Sequence, residues 1–209
     1  MAAVRNKAGI LCMTLGVALL LGALGLFLHN QREETAAEEA VVEILPQVVE
    51  RIRERQLPVE SVTELDAAVL PQTPEEIPEM DTVEVNGRSY IGYLSIPALN
   101  LELPVQSGWD YRLLKNGPCL YAGNLYADDL VIMAHNYNSH FGRLTSLTTG
   151  DRVIFVDANG SAVEYEVVVI EVLGPSEIEE MTSGEYDLTL FTCTYGGAKR
   201  TTIRCDRME

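Results

Sequence analysis

The stretch LTLFTCTYGGAKRTTIRC, Leu188–Cys205, has the pattern of a β-hairpin and decides how the fold is predicted. Two β-rich runs flank Gly196-Gly197, and a glycine pair is a strong signal for a tight turn. A two-residue turn pairs Cys193 with Arg200, a four-residue loop over residues 195–198 keeps that register, and a three-residue loop breaks it. Directly opposed residues have Cβ atoms about 4.5–5.5 Å apart on one face of the sheet.

A cysteine beside an arginine favours nucleophilic chemistry. The guanidinium of Arg200 would lower the pKa of the Cys193 thiol and could donate to an oxyanion. Arg204 pairs with Thr189, about 13 Å along the strand from Cys193, and is given a lesser role. Cys205 alternates onto the opposite face and is interpreted as a packing or disulfide residue. From the hairpin alone, a buried structural Cys193 beside an exposed arginine stays an equal alternative.

Cysteine catalysis also needs a proton donor for the leaving group, which is most often histidine. The sequence has three histidines, and His135 is the preferred candidate because it ends the apolar run LVIMA and opens a polar loop. His140 lies in the middle of that loop and is a weaker candidate. His29 adjoins the N-terminal apolar segment.

Other classes of site and partner are disfavoured. No Cys or His pairs have the spacing of zinc ligands, no regular spacing of oxygen ligands marks a calcium loop, and no glycine-rich phosphate loop is present. No metal or cofactor is therefore expected. The net charge of −16 argues against nucleic acid as a partner, because phosphate binding needs basic patches.

The N-terminal part contains a candidate membrane anchor. Residues 10–28 form a run of 19 residues without a charge, and such a helix is about 28 Å long, close to the thickness of a bilayer core. Arg5 and Lys7 precede the run, so residues 1–9 are expected in the cytoplasm and everything after residue 30 outside. The alternative is a cleaved signal peptide with its site near Thr35-Ala36-Ala37.

Residues 29–80 are predicted to form an acidic stalk. Residues 33–56 have apolar positions at helical spacing and are interpreted as an exposed helix that breaks or kinks at Pro46. Residues 57–80 contain four prolines among acidic residues, which is typical of an extended linker.

From residue 81 to 209 the sequence predicts a β domain. Seven or eight short strand-like runs alternate with turn signals such as Asn86-Gly87 and Asn159-Gly160, which favours a closed barrel or a sandwich with short helices. Three of the four cysteines lie outside the apolar segment, so at least one of them has no disulfide partner within the chain. Whether Cys119 and Cys205 pair is left open.

Residues 84–207 resemble the sortase family. The segment Thr189–Cys193, TLFTC, matches that family's TLxTC-type motif, and it lies between His135 and Arg200 as the family pattern requires. Residues 91–105 resemble the early barrel strands of sortases. Residues 134–144 resemble the histidine segment, where glycine is commoner than the alanine found at position 134.

The resemblance implies an eight-stranded sortase β-barrel that acts as a cysteine transpeptidase on the Gram-positive cell surface, with a single membrane span at residues 10–28. The implied substrates are secreted proteins with a C-terminal sorting signal similar to LPxTG. Cys193 would attack the threonine carbonyl and form a thioacyl enzyme, His135 would transfer protons, and Arg200 would hold the carbonyl or oxyanion. An amine of a cell-wall precursor, or a lysine of a pilin subunit, would accept the acyl group.

The subclass is not resolved by the sequence. No second apolar span follows the barrel, which is unlike many pilin-polymerising members, and the 58 residues from His135 to Cys193 are short for the class B insertion. Two alternatives are a hydrolytic cysteine peptidase of the cell wall and a non-enzymatic surface β domain on a stalk. In many such peptidases the cysteine precedes the histidine, which is the reverse of the order here.

Overall fold

The computed structural model describes residues 2–56 and 77–208, with side chains from residue 9 onward. The chain divides into two compact units between Ala36 and Ala37. Most of the predicted extended linker, residues 57–76, lies outside the described residues. The limits predicted for the cytoplasmic segment, anchor, stalk and catalytic domain remain predictions.

Helix α1, Ala2–Gln56, contains the charge-free run predicted to be an anchor. It is the one helix in the described part of the chain that is long and apolar enough to cross a membrane, and its most apolar window has a mean hydropathy of 2.5. No side chain of this window is buried within the protein.

Helix α1 continues through Pro46, so the predicted break is wrong, and the alternative of a kink at Pro46 stays a prediction. Proline removes one backbone hydrogen bond and crowds the preceding turn. Buried contacts after the proline offset this cost, because Val48 and Ile52 are 0% and 4% exposed. Packing of this kind commonly decides helix stability more than intrinsic propensity does.

The second half of α1 is part of the compact unit that begins at Ala37, and it is not an exposed stalk helix. Its buried residues Ala37, Val41, Val48 and Ile52 lie at spacings that place them on one helical face. Two of them, Val48 and Ile52, pack in one cluster with residues of the β domain. Those residues are Val83, Val85, Tyr90 and Ala158. The stalk predicted over residues 29–80 is therefore not solvated along its whole length.

The described β strands form one sheet that closes on itself. They are β1 Val83–Val85, β2 Arg88–Ile96, β3 Leu101–Gln106, β4 Cys119–Ala122, β5 Leu130–Met133, β6 Arg152–Asp157, β7 Ala162–Leu173, β8 Leu188–Cys193 and β9 Arg200–Arg207. The short helical elements are α2, Ile178–Met181, and 3-10 turns at Pro97–Leu99, Leu114–Asn116, Leu125–Ala127 and Leu144–Ser146. The strand order is β1-β2-β3-β4-β5-β8-β9-β7-β6, and β6 also pairs with β2.

The closed ring contains the eight strands β2 to β9, which confirms the predicted barrel. Strand β1 is an addition that pairs with β2 through the predicted tight turn at Asn86-Gly87, where both residues have positive φ. The pairs β3–β4 and β5–β8 are parallel, and the others are antiparallel. Inward-facing apolar side chains from every strand of the ring fill the interior, including Leu94, Leu103, Leu120, Ile132, Phe155, Val167, Leu190 and Ile203.

Gly92 lies where the ring closes, because β2 pairs with β6 there. Its partner is Asp157, and the next three residues of β2 continue the pairing with β6 in regular register. Its φ of +149° is in a region that residues with a Cβ rarely adopt. A Cβ at this position would overlap the carbonyl oxygen of Val156 and lie 2.9 Å from the Cα of Asp157. Closure of the barrel at this point therefore requires glycine.

His140, the weaker histidine candidate, is buried where the loop after β5 meets helix α1. It is 0% exposed, and its backbone N–H donates to the Tyr137 carbonyl. Burial, together with the nearby His135, lowers the pKa of His140 to about 4, and a hydrogen bond to the Ala37 backbone opposes part of this shift. His140 is thus a neutral packing residue at pH 7.

Replacing Gly92 with alanine should destabilise the barrel by about 2–4 kcal/mol, because the methyl group and the backbone conformation both conflict with closure. Gly108→Ala is a matched control, since nothing lies within 4 Å of its added Cβ. Thermal unfolding of the full chain in detergent should show a loss of several degrees in Tm for Gly92→Ala and almost none for Gly108→Ala. Equal Tm values for the two variants would contradict this account of closure.

His140 should make stability fall in mild acid. Because its pKa is lower in the folded state than the ordinary value of 6.5, the unfolded state binds more protons between about pH 6.5 and 4. The free energy of unfolding should therefore decrease as the pH falls through this window, by up to about 3 kcal/mol. His140→Phe should remove this part of the dependence, as measured by guanidinium unfolding at several pH values. An unchanged pH slope in the variant would refute it.

Candidate active site

The β8–β9 hairpin has the predicted register. Cys193 pairs with Arg200, and Thr189 pairs with Arg204. The connection is the four-residue version, in which the Thr194 N–H donates to the Lys199 carbonyl at 2.9 Å. Both glycines of the loop have positive φ, 82° and 75°, which explains why a Gly-Gly pair occurs there. The backbone thus brings the thiol and the guanidinium to the same level on adjacent strands.

The parallel pairing of β5 with β8 brings the end of β5 to the same level. Its last register pair is Met133 with Phe191. The pairing continues through the Ala134 N–H, which donates to the Phe191 carbonyl at 3.2 Å, and through the Thr192 hydroxyl, which donates to the Ala134 carbonyl at 2.8 Å. His135 and Cys193 each follow two residues after the last pair. Cys193 is the last residue of β8, Arg200 is the first of β9 on one side, and His135 follows the end of β5 on the other side. Neighbouring strands are about 4.8 Å apart, so the three predicted site residues lie at the same end of adjacent strands.

Strand alternation separates the cysteines of the barrel. Cys205 on β9 faces the barrel interior, whereas Arg200 on the same strand faces outward. Burial raises the pKa of the Cys205 thiol far above the ordinary range. Cys119 is also buried, and burial raises the pKa of its thiol to about 12. Both are free thiols, so no disulfide joins them. Cys193 is half-buried and is the one barrel cysteine that solvent reaches.

Aromatic stacking supports the histidine loop. The Tyr137 ring lies between two imidazoles, with its centroid 4.9 Å from that of His135 and 5.5 Å from that of His140. His140 is fixed by burial, so the stack gives His135 a firm neighbour on one side. The sequence analysis did not identify Tyr137, because an aromatic two residues after a histidine has no distinctive pattern.

The Arg200 guanidinium is held by the hairpin loop. Its Nη1 donates to the carbonyls of Gly197 at 3.1 Å and Lys199 at 3.0 Å. An arginine has five N–H donors in a planar fork, so these bonds fix the group and leave Nε and Nη2 for another acceptor. Such a group can hold a carbonyl oxygen that gains negative charge.

A groove of about 190 Å³ runs along the outer face of the barrel beside Arg200. One wall is a stack of aromatic rings, with centroid distances of 5.4 Å from Trp109 to Tyr121 and 5.0 Å from Tyr121 to Phe191. The facing wall is the segment between β7 and β8, which contributes Gly174, Pro175, Glu177, Ile178 and Met181. Most of the lining residues are apolar or aromatic, and Glu177 and Arg200 add charged groups, a combination found in sites for peptides and small ligands.

The sequence analysis missed most of this groove. Alternation along β8 places Phe191 and Cys193 on one face, and this signal could have identified Phe191. Trp109 is far from the hairpin in sequence and comes to it through the barrel topology, and Met181 lies in the separate segment before β8. Among residues 2–56 and 77–208, no group of three or more His, Cys, Asp or Glu side chains could hold a metal ion.

Arg204, to which the sequence analysis gave a lesser role, is the centre of a buried network of hydrogen bonds. It is 3% exposed, and its Nε donates to Glu171 at 2.8 Å in a salt bridge. Its other nitrogens bond to Thr189 and to two backbone carbonyls of α2. The sequence analysis placed it correctly opposite Thr189 but could not show the segment that folds over it.

Comparison with known proteins gives a consistent result. A model of the sortase domain matches residues 94–208, more than half of the chain. The chain is 27% identical over 135 residues to sortase A of Bacillus anthracis, an alignment that covers 62% of this chain and 63% of that protein. The chain therefore spans somewhat less than two thirds of the length of this relative.

Solved structures have the same fold. Sortase A from Corynebacterium diphtheriae is 25% identical, with a TM-score of 0.54 over 58% of this chain and 62% of that chain. The type I crystal structure of Streptococcus agalactiae sortase C1 is 26% identical, with a TM-score of 0.51 over 57% of this chain and 69% of that one. The similar proteins include both A and C1 types, so the subclass stays unresolved. Since the sortase-domain model covers nearly all of the closed barrel, the chain belongs to the sortase family.

Proposed function

We propose that the chain is a cysteine transpeptidase in which Cys193 is the nucleophile, His135 the proton carrier and Arg200 the oxyanion donor. The observation that carries this proposal is the register of three neighbouring strands, which brings these residues to one level on the outer face of the barrel. Family membership supports the same reaction class. The other two barrel cysteines are buried as neutral thiols.

The first half-reaction forms a thioester. The Cys193 thiolate attacks the carbonyl carbon of the threonine in an LPxTG-like sorting motif, and the carbonyl oxygen becomes an oxyanion. Arg200 donates to this oxygen, where fixed donors are most effective because charge develops there. The carbon–nitrogen bond then breaks, and protonated His135 gives its proton to the departing amine.

The second half-reaction transfers the acyl group. An acceptor amine loses a proton to His135 and attacks the thioester carbonyl, and the carbon–sulfur bond breaks to release the Cys193 thiolate. The acceptor is an amine of a cell-wall precursor or a lysine of a pilin subunit. The substrates are secreted proteins with a C-terminal sorting signal.

The groove beside Arg200 supports an extended peptide as the substrate. Its aromatic wall and the apolar side chains of Ile178 and Met181 suit the leucine and proline of such a motif, since apolar pockets bind aliphatic groups by excluding water. We infer that α1 anchors the enzyme in the cell membrane through residues 10–28. The N-terminus is then cytoplasmic and the barrel lies outside the cell, where sorting signals of secreted proteins arrive.

Replacing any of the three proposed catalytic residues should nearly abolish the reaction. Cys193→Ala, His135→Ala and Arg200→Ala should each lower kcat/KM by about a thousandfold or more, measured by cleavage of a quenched fluorescent LPxTG-type peptide. Lys199→Ala is the matched control for Arg200, because it removes a neighbouring exposed cation of the same loop and should retain activity. Full activity of Arg200→Ala would refute its proposed role.

Adding an acceptor amine separates transfer from hydrolysis. With a diamine or a cell-wall peptide as acceptor, mass spectrometry should show the peptide's threonine joined to the amine, because the thioester is resolved by aminolysis. Omitting the amine should slow turnover and leave hydrolysed peptide. A product that is always the free acid would identify a peptidase, and no cleavage of any peptide would favour a non-enzymatic surface domain.

A further inference from the structure

The buried charge of Arg204 joins three parts of the barrel unit. Besides the salt bridge to Glu171 on β7, Nη1 donates to the Thr189 hydroxyl on β8 at 3.0 Å. The remaining bonds leave the barrel and go to α2, with Nη1 to the Met181 carbonyl at 3.1 Å and Nη2 to the Glu180 carbonyl at 2.6 Å. Burying a guanidinium costs free energy unless its nitrogens donate hydrogen bonds. In Arg204, Nε, Nη1 and Nη2 all donate.

The two carbonyls belong to the end of a very short helix. The last carbonyls of any helix lack partners within the helix, and α2 has four residues, so most of its carbonyls are in that position. A cation at a helix C-terminus satisfies them and opposes the helix dipole. Arg204 therefore caps the C-terminal end of α2 and connects it to the outer face of the barrel.

The capped segment forms a wall of the groove. Glu177, Ile178 and Met181 line it opposite the aromatic stack. Met181 is 4% exposed and packs in a small cluster with Val131 and Phe191 on the outer face of β5 and β8. The position of α2 thus determines the width of the groove beside the strand that carries Cys193.

We propose that Arg204 is a positioning residue for substrate binding, which holds the α2 wall at the separation that an extended peptide requires. The inference rests on the proposed function, because it assumes that the groove receives the peptide. Arg204 does not touch the reacting atoms. Its contacts are with the wall, whereas the three proposed catalytic residues are placed by strand pairing and by the hairpin loop.

This division predicts a separation of kinetic effects. Loss of the hydrogen bonds from Arg204 should release α2 and weaken peptide binding. The register of β5, β8 and β9 should still keep the proposed catalytic groups in place. Lysine keeps the charge but has a single nitrogen, which cannot reach acceptors on β7, β8 and α2 together. Arg204→Lys should therefore raise KM about tenfold and change kcat by less than about threefold.

The experiment uses the full chain in detergent and the LPxTG-type peptide that the wild type cleaves fastest. KM and kcat are measured for Arg204→Lys, Arg204→Met and Thr189→Val, the last of which removes one acceptor and leaves the arginine intact. Arg207→Met is the matched control, because this arginine is on the same strand, is 41% exposed and pairs with Asp128. It should leave both constants unchanged.

Binding is measured separately through the single tryptophan of the chain. Trp109 packs against Tyr121 in the aromatic wall of the groove, so an arriving peptide should alter its fluorescence. The titration is carried out in Cys193→Ala protein, which does not turn the peptide over. Adding Arg204→Lys to this protein should raise Kd by the same factor as KM, and Arg207→Met should not.

The outcomes separate the two proposals. If the wild type cleaves the peptide and Arg204→Lys and Thr189→Val both leave KM unchanged, or lower kcat alone, the role of Arg204 is overturned and the proposed function stands. If Arg204→Met does not fold, Thr189→Val still decides the question, because a smaller rise in KM is expected from it. If no peptide is cleaved and none changes the Trp109 fluorescence, the proposed function fails, and the inference fails with it.

Discussion

The pairing of β8 with a parallel neighbour on one side and an antiparallel neighbour on the other sets the positions of the three proposed catalytic residues. On the parallel side the pairing continues past the end of β5 through a buried hydrogen bond from the Thr192 hydroxyl to the Ala134 carbonyl. A shift of β8 by one residue would turn its side chains to the opposite face of the sheet. The thiol would then point into the apolar interior, where Cys205 already shows what burial does to its acidity. Backbone register is thus a requirement for the chemistry as well as for the fold.

Burial distinguishes the proposed nucleophile and proton carrier from the other cysteines and histidine of the barrel unit. Cys119, Cys205 and His140 all lie in the interior or under the helix, and in each case burial shifts the pKa in the direction that keeps the group neutral. Cys193 and His135 are the half-buried members of their kinds in the barrel unit. Residue type alone would give several candidate pairs, and the proposed pair is the one whose two members are both half-buried.

Much of the hairpin could be predicted from the sequence because its information is local. The Gly-Gly turn, the two-residue period and the side of each side chain follow from neighbouring residues, so the facing of Cys193 and Arg200 and the inward direction of Cys205 were both accessible. The eight-stranded closure came from resemblance to a family, since strand runs alone also allowed a sandwich. His135 was identified by its place at a strand end.

The parts that could not be predicted depend on contacts between distant segments. Pro46 indicated a break in the helix, but the helix continues because residues after it pack on the barrel. Arg204 looked minor because α2, which it caps, is more than 20 residues away in sequence. The groove likewise combines Trp109, Phe191 and the β7–β8 segment, which no short pattern connects.

The helical face formed by Val48 and Ile52 has a practical consequence for shortening the protein. These side chains cover Val83, Val85 and Tyr90, three apolar residues at the start of the barrel. A fragment that begins at residue 81 would carry this surface uncovered, next to the short edge strand β1, which is the combination that promotes aggregation. A soluble form should instead begin near Ala37, so that the second half of α1, predicted as part of a stalk, covers this apolar surface.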